Sequence, residues 1–142
     1  MERLIEVATR EGLQIKEFTP LPESYLGLYY CEDGYLPVAF LSEKIYGQRK
    51  LERVVLAEEI GHHLTTFDHT IPYYFESYKQ KLKLSKSEYK ALRKGSQLLI
   101  YPEEILEAVA HGIEEVWELA EHFNVTDDFM AFRLKAWQVS GN

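Results

Sequence analysis

The sequence predicts one α+β domain, with a small antiparallel sheet ahead of a helical C-terminal half. Three observations predict it. Residues 51–66, LERVVLAEEIGHHLTT, are apolar on two faces of a helical wheel. Two Tyr- and Leu-rich stretches, 25–31 and 35–41, flank the turn signal Glu32-Asp33-Gly34. Beyond residue 85, capping and breaking residues cut the chain into short helices.

In chain order, residues 2–10 carry Leu4, Ile5 and Ala8 at helical spacing, and Gly12 ends that helix. Pro20 and Pro22 make the next stretch loop-like, with a short strand at 14–18. Residues 25–31 and 35–41 form a hairpin; Pro37 puts part of the second strand at a sheet edge or near its start. Residues 42–47 connect to the central helix. Residues 67–86 hold Asp68, His69, Pro72, Tyr73, Tyr74, Phe75 and Tyr78 with no clear period, a loop long enough to be functional. Ser85-Lys86-Ser87-Glu88 matches a capping box for a helix over 85–99. Pro102 opens a helix whose first turn holds Glu103 and Glu104, suited to the helix dipole, and Gly112 closes it. Two more helices follow, 114–123 and 127–138, with Thr126 as N-cap of the last. No repeat or linker interrupts residues 1–142, so a single domain is expected.

Composition narrows the class. At 142 residues, 46% apolar and 27% charged, the chain can bury a core of its own. A net charge of −7 and a pI near 5.3 argue against a general nucleic-acid binder. The single cysteine, Cys31, excludes an intramolecular disulfide and suits a reducing compartment. The first twelve residues scatter charge through an amphipathic helix, unlike a signal peptide, and no apolar run approaches the ~20 residues of a membrane span. A cytoplasmic location is expected.

The central helix carries the chemistry. At about 100° per residue, Leu51, Val54, Val55, Glu58, His62 and Thr65 share one stripe, and Leu56, Ala57, Ile60 and Leu64 share another. A helix apolar on two faces is buried on both, so Glu58 and His62, one turn apart, point inward. Burying a carboxylate is costly without a partner, and a metal ion would justify both residues; the plain alternative is a buried ion pair. Gly61 gives the turn room for close approach. Glu58-Glu59-Ile60-Gly61-His62 differs by one residue from the zinc-protease helix HExxH, in which two His bind zinc and the Glu is the general base.

Residues 56–63, LAEEIGHH, are similar to the active-site helix of the ImmA/IrrE metallopeptidases of phages and mobile elements. Glu88-Tyr89-Lys90-Ala91 with Leu98-Leu99-Ile100-Tyr101-Pro102 resembles that family's second block, and residues 117–126 its helical end. The resemblance covers roughly residues 35–137. It implies a zincin-like active-site helix and a divalent metal, zinc or alternatively manganese. The ligands would be His62, Glu88 and, in place of the family's other His, Glu58, with Glu59 as general base. It also implies a peptide-bond hydrolase that cleaves a helix-turn-helix repressor of a phage or prophage. One neutral His with two carboxylates cancels the charge of a divalent ion, whereas two His with one carboxylate leave +1. The neutral set makes a weaker Lewis acid, and its added oxygen tilts preference toward harder ions.

Each of these residues has a simpler reading. Glu59 lies about 80–100° off the Glu58 stripe, beside Glu52 and His63, where an exposed Glu is ordinary. Glu88 doubles as the third residue of a capping box. His63 lies at the side of His62 as a solvent-facing or supporting residue, and Asp68 and His69 are substitute ligands should Glu58 not bind. The last two helices also mimic a helix-turn-helix. Asp127 and Asp128 open its second helix, and the only cations there are Arg133 and Lys135, a poor match to DNA phosphates. The competing function is a non-catalytic relative that binds a repressor or other protein through the same cleft.

Overall fold

A computed structural model describes residues 1–65 and 86–140. Of the loop expected at 67–86, all but Lys86 lies outside the described residues, with Asp68, His69 and its aromatic residues, as do Thr66 and the expected N-cap Ser85.

The order is α1 (Glu2–Arg10), β1 (Gln14–Thr19), β2 (Gly27–Tyr30), β3 (Val38–Ser42), a 3-10 turn (Glu43–Ile45), α2 (Arg49–Thr65), α3 (Lys86–Leu99), α4 (Pro102–Ala110), α5 (Val116–Phe123) and α6 (Asp127–Ser140). The α+β class and the helix order follow the sequence. The sheet does not. It is mixed, in the order β1-β3-β2, with β2 antiparallel and β1 parallel to β3. A chain that reverses twice between β1 and β3 arrives running the way it started. The strand ahead of a hairpin therefore runs parallel to the hairpin's second strand when it pairs there. Pro37 falls just before β3, where its carbonyl accepts the Gln14 N–H at 3.0 Å. The β1–β3 register slips between Lys16 and Thr19, where Phe18 takes φ 55° and turns its ring edge-on to Tyr46.

α2 is the middle layer. It packs on β2 and β3 on one side and on α3 on the other. Nine consecutive residues, Val54 through His62, are buried in consequence. The seam with α3 runs at backbone contact. A Cβ on Gly61 would overlap the Ala91 carbonyl, lying 2.8 Å from its carbon, and a Cβ on Gly95 would lie 2.7 Å from the Ala57 carbonyl carbon. Glycine at both positions is what permits this approach. Ala57 with Gly61 and Ala91 with Gly95 are four apart, so each helix offers one small-residue face. Gly61 lies against Ala91 and Gly95 against Ala57, which makes the two helices antiparallel.

Arg3 fastens α1 to the α3–α4 corner. It donates to both oxygens of Glu104 (2.9 and 3.2 Å) and to the Leu99 carbonyl (3.2 Å), and its guanidinium lies over the Tyr101 ring. The hydrogen bond from Arg3 holds the Glu104 carboxyl below its ordinary value of 4.5. A depressed carboxyl stabilises the fold above its unfolded-state value and loses that contribution as pH falls through the folded value. The stability difference between the native chain and Glu104→Gln is therefore expected to be present at neutral pH and to shrink steadily below about pH 4.5. Thermal unfolding of both proteins from neutral to acid pH checks this; a difference independent of pH would refute it.

Candidate functional site

α2 buries three titratable side chains in little more than one turn: Glu58 at 1% exposure, Glu59 at 0% and His62 at 1%. Glu58 and His62 share a helix face one turn apart, as their spacing requires. Glu59 departs from the simple expectation of an exposed helix glutamate. Its Cγ lies 3.3 Å from where a Cβ on Gly27 would stand, so it is covered by β2. A side chain larger than hydrogen at position 27 would press on Val55 and Glu59, and glycine there makes the space that Glu59 occupies.

Glu88 lies half-buried in the first turn of α3. With Gly61 beside Ala91, the antiparallel register carries Glu88 level with the last turn of α2, about 3–5 Å beyond His62 by helical rise. The third expected donor is thus at the same end of the seam as His62. Among the described residues, however, no three His, Cys, Asp or Glu side chains are placed as a group that could hold a metal. The chemistry of the donor set, one imidazole and two carboxylates, suits a divalent ion; its assembly around one is not displayed.

His63 has a structural task. Its Nε2–H donates to the Glu11 carbonyl at 2.9 Å, and its Nδ1 accepts from the Tyr29 hydroxyl at 2.8 Å. A carbonyl can only accept, so the Nε2 that faces it carries a proton. The imidazole thereby joins α2, β2 and the turn after α1. With both ring nitrogens occupied in this way, it supports the helix rather than offering a lone pair. Asp68 and His69, the substitute ligands, lie outside the described residues.

Arg133, one of the two cations of the last helix, is a residue whose burial the sequence did not signal: it is 0% exposed and donates from Nε to the Ile100 carbonyl at 2.9 Å. Burial, and secondarily Arg93, lowers its pKa. A cation at the C-terminal end of α3 complements that helix's dipole. Thr126 does cap α6, accepting the Phe129 N–H at 3.3 Å, and Asn124 adopts φ 57° to end α5. The pair is a helical hairpin whose one central arginine is committed to the core.

Comparison with protein families, with curated proteins and with solved structures returns no match for this chain. Among the described residues no helix is long and apolar enough to cross a membrane.

Proposed function

We propose that this chain is a metal-dependent endopeptidase whose substrate is a protein, a helix-turn-helix repressor of a phage or mobile element. The observation that carries the reading is the burial of Glu58, Glu59 and His62 in one stretch of α2, where the helix needs apolar residues. Three ionisable groups in a core position are a cost to folding that a catalytic centre would justify. Glu58 and His62 would hold the ion, with Glu88 as the third donor. A divalent ion held there, zinc or manganese, supplies Lewis acidity toward the scissile carbonyl. Glu59 accepts a proton from the attacking water and passes it to the leaving amine nitrogen. Its place against β2 shields the carboxylate from bulk water.

The test is metal content by mass spectrometry on protein purified without chelator, with Glu58→Ala, His62→Ala and Glu88→Ala alongside and circular dichroism to confirm folding. About one equivalent of zinc or manganese, lost in all three folded variants, is the expected result. No metal after incubation with both ions would overturn the peptidase reading.

The second reading is a non-catalytic relative that binds a repressor through the same cleft, in which the first metal ligand's place is held by Glu58 instead of His. A binder acts only at one-to-one dose, whereas a peptidase acts at substoichiometric dose.

A further inference from the structure

Arg133 carries a permanent positive charge into the seam between α3 and α6, where little balances it. It is 0% exposed, and its Nε–H is used on the Ile100 carbonyl. The two terminal nitrogens, Nη1 and Nη2, are buried as well, and neither has a hydrogen-bond partner among the described residues. A guanidinium stays protonated at any pH a folded protein meets, so burial does not discharge it. The carbonyl end of α3 offers roughly half a negative charge, less than one cation needs.

The charge that acts on Arg133 is another cation, Arg93. Arg93 stands on α3 seven residues before Ile100, which puts the two on one face of the chain there, and it is half-buried. Among the described residues no carboxylate pairs with either arginine. Scarcity does not explain this, because the chain has 23 Asp and Glu against 16 Lys and Arg. Arg3, which is less buried, holds both oxygens of Glu104. Water would satisfy the free N–H groups of Arg133 but would bring no negative charge. An uncompensated buried charge is among the costliest features a core can contain.

We infer that the α3–α6 seam binds a small free oxyanion of the phosphate class, gripped by the two terminal nitrogens of Arg133 and balanced by Arg93. Three features select this ligand. Nη1 and Nη2 form a planar fork that meets two oxygens of one anion side by side. Two guanidinium groups call for a dianion, which acetate and chloride are not. The depth of Arg133 admits a free ion and excludes a phosphate carried on a nucleic acid, a lipid surface or another protein. The site shares no residue with the α2 centre, and its test needs neither metal nor hydrolysis.

The probe is inorganic phosphate, titrated into the full chain by isothermal calorimetry, with chloride and acetate at matched ionic strength as controls. One phosphate per chain is expected to bind, well ahead of both monoanions. Arg133→Met should lower the affinity by about tenfold or more, because the fork is gone, and Arg93→Gln should lower it by a smaller factor. Arg93 is half-buried and without an ion pair among the described residues, so Arg93→Gln should fold even where Arg133→Met does not. Thermal unfolding gives a second readout. Without phosphate, Arg133→Met should melt no lower than the native chain, since methionine removes a charge that nothing balances. With phosphate in excess, the native chain should gain stability by mass action beyond the general salt effect that both proteins share. No phosphate binding, equal binding of acetate, or binding that both variants leave unchanged would each overturn the proposal. So would an Arg133→Met protein destabilised equally with and without phosphate, which would make the arginine a structural bond to Ile100 alone.

Discussion

Gly61→Ala is expected to destabilise the protein by about 3 kcal/mol or more, the upper part of the range for overpacked cores. On an isolated helix the same change would help by up to ~1 kcal/mol, because alanine is the better helix former. The sign is reversed here by what the new methyl group meets. It lands on the backbone carbonyl of Ala91, which has no rotamer to escape into. α2 and α3 must separate, and the dispersion contacts along the seam weaken together. Gly95→Ala should behave alike, since its methyl group meets the Ala57 carbonyl. Urea unfolding of both variants checks the size. A gain in stability at either position would show that the helices are not in backbone contact. Separation would also move Glu88 away from His62, so if the proposed centre holds a metal, a folded Gly61→Ala protein should hold it more weakly than the native chain.

This seam was half legible in the sequence. Gly61 stood out because it precedes His62 in a helix otherwise rich in branched residues. Gly95 did not, although Ala91 and Gly95 repeat the four-residue spacing of Ala57 and Gly61. Local signals placed the helices well. α1 falls at Glu2–Arg10 as read, and α2 at Arg49–Thr65 against an expected 51–66. What failed was non-local. Strand β1 carries no mark of its direction, because its parallel pairing depends on where the later hairpin settles. The helical wheel gave Glu59 a face shared with Glu52 and His63, and that was geometrically sound. It could not say that a sheet with glycine at position 27 would cover that face. Arg133 was read by its charge, whereas its position facing the end of α3 is set by how α6 packs on α3. His63 looked like a companion of His62, but its partners Tyr29 and Glu11 come from other parts of the chain.

Glu59→Gln is the second change with a large expected effect, and it separates catalysis from everything else this helix does. Glutamine matches glutamate in size and shape, so it fits the covered space beside Gly27 without new overlap. Trading a buried carboxylate for a neutral amide also removes a desolvation cost, so folding should survive. If Glu59 is the base, hydrolysis of a repressor substrate should fall by about 10²–10⁴-fold, the usual worth of a positioned proton carrier. Metal content should stay near that of the native protein, because Glu59 is not among the proposed donors. The loss should sit in kcat rather than in KM, since the amide still occupies the same volume beside the substrate. A fall in activity that tracks loss of metal would make Glu59 a ligand and Glu58 the residue to re-examine. Full activity in the Glu59→Gln protein would remove general-base catalysis from this helix. An effect on the repressor that appears only at one-to-one dose and ignores the substitution would leave α2 as the floor of a binding cleft, its buried carboxylates serving recognition instead of chemistry.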